Sequence, residues 1–204
     1  IGGEAHAREE LAAIEAAAGE KTVEGGFKQL LHPSMRKILL IGVVMAVLQQ
    51  WCGFNVIFNY AQEIFMAAGY GVSDVLMNIV VTGVTNVIFT VLAMCGVDRW
   101  GRKALTLFGA FGLTLIYAFM GAAYWFHISG VMLLVIVVAA IACYAMTLAT
   151  TMWVIISEIF PNRIRGVAMS VCTFALWAAC FILTYTFPVL NSGLGAAGTF
   201  WRYG

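Results

Sequence analysis

Five apolar stretches, each long enough to cross a bilayer, dictate what this chain can become. They cover residues 38–66, 76–97, 104–126, 131–156 and 167–189. A hydrocarbon core ~30 Å thick needs about 20 apolar residues of α-helix, and in lipid only helices and closed barrels satisfy their own backbone polar groups. Composition agrees: 62% of the 204 residues are hydrophobic and 10% charged, against about 45–50% and about 25% in a soluble domain. The intervening segments, 69–74, 98–103, 127–130 and 157–166, are short, so successive helices run antiparallel. The chain is therefore expected to be an all-α integral membrane protein, an up-and-down bundle in the lipid bilayer. A sixth run begins at Ala196 and reaches only GTFWRYG (198–204), too short to cross.

The segment before the first span is different. Residues 4–20 are polar and alanine-rich, with Glu4 and Arg8 spaced to support a surface helix. GEKTVEGG (19–26) reads as a linker, and FKQLLHPSMRK (27–37) as an amphipathic approach to the membrane. The start lacks both a signal-peptide core and an initiator methionine, so the chain is expected to be part of something longer. Ten of the eleven basic residues precede the first span or lie in the second and fourth loops. By the positive-inside rule that face is cytoplasmic. Arg202, in the sixth run, is the exception, and an arginine within hydrocarbon is costly.

Composition and spacing also exclude several functions. A net charge of +1 gives no reason to expect nucleic acid. Cys52, Cys95, Cys143, Cys172 and Cys180 stand singly in apolar runs, with no metal-ligand or redox spacing. They read as small buried hydrophobes, and no metal or cofactor is expected. The spans hold no Ser/His or Asp/Asp pair, so no catalytic residue is expected and an enzyme is disfavoured; His127 and Glu63 lie near span ends without partners.

Uncharged polar groups inside the spans carry the functional signal, because lipid offers them no partner. Gln49, Gln50, Asn55 and Asn59 crowd the middle of the first span. On a straight helix Gln50 and Asn55 would lie about 140° apart. Gly53 stands between them, and a break there would turn both towards one cavity, as in discontinuous transporter helices; the competing role is inter-helix glue. Thr82, Asn86 and Thr90 share a face of the second span, and Thr173, Trp177, Cys180 and Thr184 make a stripe on the fifth. Trp153 in the fourth span and Trp177 lie too deep for an interfacial belt, and each indole N–H wants a partner. Indole faces stack on the C–H faces of sugar rings, and amides both donate to and accept from hydroxyls. With no ionisable group nearby, the set suits a neutral polyhydroxylated solute.

These residues resemble the sugar porter family of the major facilitator superfamily. QQWCGFNVIFNYAQEIF (49–65) is similar to the family's seventh-helix signature, VDRWGRKAL (97–105) to the loop between helices eight and nine, WVIISEIFPNRIRGVAMS (153–170) to the exit of helix ten, and ALWAACFILTYTFP (175–188) to helix eleven. Within the family the likeness is greater to bacterial xylose–proton symporters than to mammalian glucose facilitators. The resemblance implies the C-terminal six-helix half of the fold, with five complete helices and a truncated sixth. Residues 1–34 would be a cytoplasmic helical linker and 35–204 the transmembrane bundle. It implies hydroxyl contacts from Gln49, Gln50, Asn55 and Asn86, with Trp153 and Trp177 on the ring; Asn59 joins these candidates through its place in the amide cluster of the first span. It also implies a conformational ion-pair cluster drawn from Asp98, Arg99, Arg102, Lys103, Glu158 and Arg165. Three departures stand out: Leu176 where relatives carry a polar residue, Asn59 where tyrosine is usual, and TLATTMW (147–153) without the Gly-Pro pattern of helix ten.

The expected function is secondary transport of a pentose or hexose across the cytoplasmic membrane, with the N-terminal half and possibly a proton as partners. The rivals are a transporter-like sugar sensor and a carrier of another polar solute such as a polyol.

Overall fold

The computed structural model describes residues 30–67, 69–126, 128 and 130–203. Nearly all of the expected linker, 1–34, lies outside them, as does His127. Eight helices are described: α1 (Pro33–Trp51), α2 (Phe54–Asn59), α3 (Ala61–Ala67), α4 (Val72–Trp100), α5 (Arg102–Trp125), α6 (Val131–Met146), α7 (Leu148–Ile159) and α8 (Arg165–Tyr203). They form five stretches long and apolar enough to span a membrane.

Each span starts and stops for a local reason. α1 opens on Pro33 at its first turn, where the missing N–H costs nothing and the fixed φ suits a helix. Helix formation thus begins five residues before the apolar run at Ile38. The first span is two pieces: α1 ends at Trp51, Gly53 turns left-handed at φ 76° and ψ 4°, and α2 begins at Phe54. A side chain would resist that conformation, so the break expected at Gly53 has a chemical cause. Gly101 alone joins α4 to α5, at φ 79° and ψ 142°, a backbone conformation that favours glycine.

The fourth run is not continuous. It divides at Thr147, φ −122° and ψ −90°, into α6 and α7, although the sequence there has neither glycine nor proline. Threonine hydroxyls bond the carbonyls around the break. Thr147 donates to the Cys143 carbonyl at 2.5 Å, Thr150 to Ala145 at 3.2 Å and Thr151 to Thr147 at 2.9 Å. Freed backbone groups at membrane depth need such partners. α8 also bends, at Gly195 (φ 70°, ψ 174°). Beyond it Trp201 donates its indole N–H to the Ala118 carbonyl at 3.2 Å, and Phe200 stacks on Tyr124 of α5 at 5.6 Å.

Packing leaves much apolar surface outside. Phe108, Phe111, Leu115 and Phe119 of α5, and Val80, Val84, Val87 and Val91 of α4, are exposed, which water would not tolerate and lipid accepts. The interior holds two main clusters. One gathers Phe65, Tyr117, Ile141 and Phe200. The other packs Leu30, Phe160, Cys172 and Leu176 near the basic end. Leu176 is fully buried there. Cys172 and Cys180 are buried and Cys52 and Cys143 half-buried, but Cys95 is exposed; the expectation of buried thiols fails at Cys95.

Candidate functional site

At the Gly53 break three amides form a directed chain. Asn55 Nδ2 donates to Gln50 Oε1, and Gln50 Nε2 donates to Gln49 Oε1 at 3.4 Å. Both glutamines are buried, at 4% and 5% exposure. The left-handed turn lets Asn55 reach back across the break, a contact that a straight helix forbids. Linked this way, the chain leaves a donor at the Gln49 end and an acceptor at the Asn55 end. That pair of groups suits hydroxyls, which need both.

The other candidates are distributed around this centre. Asn59 does not join the chain; its Nδ2 donates to the Thr184 hydroxyl of α8 at 3.3 Å. Asn86 is half-buried on α4 and makes no hydrogen bond to the three amides. Trp153 and Trp177 are 40% and 61% exposed, so their rings lie on the surface of this bundle. A cavity of about 640 Å³ opens between α1, α5, α7 and α8, within the usual size of a small-molecule site of about 300–1,000 Å³. Gln49 alone of the seven candidates borders it, and its walls are mainly leucine, methionine and threonine, with Arg202 at one side. The amide chain is therefore the better marker of a polar solute site than this cavity.

One buried polar group escaped the reading of the sequence. Asn78 lies one turn before Thr82 on the α4 stripe, is 6% exposed, and its Nδ2 has no hydrogen-bond partner. The four-residue spacing Asn78–Thr82–Asn86 was the available signal. An unpartnered buried amide costs about 1–3 kcal/mol. Asn78→Leu is therefore expected to raise the thermal unfolding midpoint in detergent, and a lowered midpoint would mean that a bound water or solute satisfies it.

At the basic end Arg102 bridges two carboxylates, Asp98 at 3.1 Å and Glu158 at 2.8 Å. The second bond ties the α4–α5 turn to α7. Asp98 and Glu158 are 78% and 52% exposed, and exposed pairs contribute only about 0–1 kcal/mol, so the contact suits something made and broken. The remaining expected members stand apart. Arg165 Nε donates to the Phe160 carbonyl at 3.4 Å, while Arg99 and Lys103 are exposed and form no salt bridge among the described residues. No metal-binding group of acidic, His or Cys residues occurs among the described residues.

Residues 2–204 match the family model described as "Sugar (and other) transporter". The arabinose-proton symporter of Bacillus subtilis is 35% identical over 204 residues, covering 100% of this chain and 44% of that protein. The D-xylose-proton symporter of Escherichia coli K12 is 36% identical over 173 residues, covering 82% and 35%. The chain thus spans less than half the length of these relatives. A solved structure of the major facilitator superfamily proton:xylose symporter XylE, bound to 6-bromo-6-deoxy-D-glucose, superposes with a TM-score of 0.73 at 35% identity, over 81% of this chain and 36% of that one. Five apolar spans, an amide cluster at a broken helix and these likenesses agree: the chain belongs to the sugar transporter family of the major facilitator superfamily.

Proposed function

We propose that the chain supplies the carboxyl-terminal half of a secondary carrier that moves a pentose or hexose across the cytoplasmic membrane by alternating access. The observation that carries this reading is the Asn55→Gln50→Gln49 chain held open at Gly53. It presents a neutral donor and acceptor at membrane depth, which fits sugar hydroxyls and repels neither partner by charge. Asn86 adds an amide from α4. The exposed Trp153 and Trp177 rings stack on the sugar from the surface that the amino-terminal half covers. The basic end faces the cytoplasm, and residues 1–34 link the two halves there. Proton coupling follows the named activities of the two relatives.

Uptake of a labelled pentose and hexose panel by the complete carrier, with and without a proton gradient, tests this. Accumulation of one sugar only under the gradient is expected; the absence of uptake for every sugar would sink the reading. The Arg102 bridge works as a latch between states. Arg102→Glu sets a third carboxylate beside Asp98 and Glu158, where like charges repel, so the α4–α5 turn should part from α7. A cysteine placed at Ser157 is expected to alkylate faster in that variant, and an unchanged rate would remove the latch.

A further inference from the structure

Thr184 on α8 receives two hydrogen bonds from one short helix. The Asn59 amide donates to its hydroxyl at 3.3 Å, and the Tyr60 phenol donates to its carbonyl at 3.0 Å. Both donors stand at the end of α2 remote from Gly53; near the other end Asn55 donates to Gln50. α2 has six residues, bounded by the left-handed Gly53 and by Tyr60 at φ −118° and ψ 25°. A helix this short does not sustain itself, so its direction depends on what its side chains grip.

The apolar grip is Val56 against Leu183 and Phe187, with Phe54 stacked on Tyr144 at 3.8 Å. Apolar contact has no direction of its own, whereas a hydrogen bond fixes an angle. Asn55 and Asn59 are four residues apart and share a face of α2. The rotation that holds Asn59 on Thr184 is therefore the one that aims Asn55 at Gln50.

We propose that Thr184 is a positioning residue for the solute: its hydroxyl locks the rotation of α2 and so keeps the Asn55 amide in the binding chain. This rests on the sugar-carrier reading. It also gives Asn59 a positioning part, acting through Thr184 and Asn55.

Thr184→Val keeps the side-chain shape and removes the hydroxyl, while Thr184→Ser keeps the hydroxyl. In proteoliposomes holding the complete carrier, Thr184→Val is expected to raise KM for the transported sugar about three- to tenfold, the loss of one hydrogen bond, with kcat little changed. Thr184→Ser should behave as the native protein. Asn59→Ala should give the same rise as Thr184→Val, and the double variant no more than either, since the two side chains act as one unit. A second readout avoids transport: the Cys52 thiol donates to the Gln49 carbonyl at 2.7 Å beside the Gly53 turn. Its alkylation, followed by mass spectrometry, should quicken in Thr184→Val and Asn59→Ala but not in Thr184→Ser. Native KM with native Cys52 reactivity in Thr184→Val, or additive effects in the double variant, would overturn the proposal. Should Thr184→Val not fold, Asn59→Ala with the Cys52 readout decides it. No uptake by the native carrier sinks the sugar reading instead, and Cys52 reactivity then still decides whether Thr184 fixes α2.

Discussion

Gly109→Val is expected to leave almost no folded protein in the membrane. Gly109 on α5 faces the break between α6 and α7 so closely that an added Cβ would lie 2.6 Å from Thr147 Cβ and 3.3 Å from Leu148 Cγ. A Cβ is one bond from the backbone and has no rotamer by which to retreat. The Thr147 hydroxyl is held as well, by the Cys143 carbonyl at 2.5 Å. Relief must come from separating α5 from the break, which uncovers the neighbouring Leu113 and Ile141 of the larger core cluster. Overpacking a tight core costs about 1–3 kcal/mol for small additions and more for rigid ones; a β-branched residue against the Thr147 Cβ belongs to the second group. Fluorescence-detected gel filtration should show aggregate for Gly109→Val and a lowered midpoint for Gly109→Ala. Thr147→Ala should not rescue Gly109→Ala, because the offending Cβ remains. A monodisperse Gly109→Val protein of native stability would mean that this approach is not part of the fold.

That contact also shows where sequence reading stops. Hydropathy located the five spans, because lipid imposes a length and a composition that survive any packing. It also located the first break, since a glycine between two pairs of amides is a local signal. The second break is not local. Nothing in TLATTMW marks Thr147 as non-helical; the close approach of Gly109, 38 residues earlier, coincides with it. Likewise Asn59 looked like a member of the amide group by spacing, yet its partner Thr184 is 125 residues away. Sequence offers no means of choosing between a near and a distant acceptor. The depth of Trp153 and Trp177 in their spans says nothing about direction around a helix. Their exposure on this bundle follows from which face α7 and α8 turn to their neighbours. Asn78 carries a legible signal, standing four residues before Thr82 on the stripe that continues to Asn86.

Gln50→Leu should impair solute binding more than any other single change among the three linked amides. Gln50 stands in the middle: it accepts from Asn55 and donates to Gln49, so its loss leaves the buried Gln49 and the half-buried Asn55 without that partner. Each stranded amide costs about 1–3 kcal/mol, and 1.4 kcal/mol is about tenfold in affinity. The stranded groups would relax towards one another or towards water, and either response disorders the donor and acceptor that face the sugar. KM is therefore expected to rise by roughly tenfold or more. Asn55→Ala removes a terminal member and strands only an acceptor, so its effect should be smaller, about three- to tenfold. The ranking matters more than either size. If the amides were only helix glue, Gln50→Leu would lower the thermal midpoint and leave KM untouched in whatever protein folds. If they hold the solute, KM moves in folded protein and saturating sugar restores part of the midpoint, because a ligand that binds only the folded state stabilises it. Equal KM for native and Gln50→Leu carriers would detach the amide chain from transport and return it to packing.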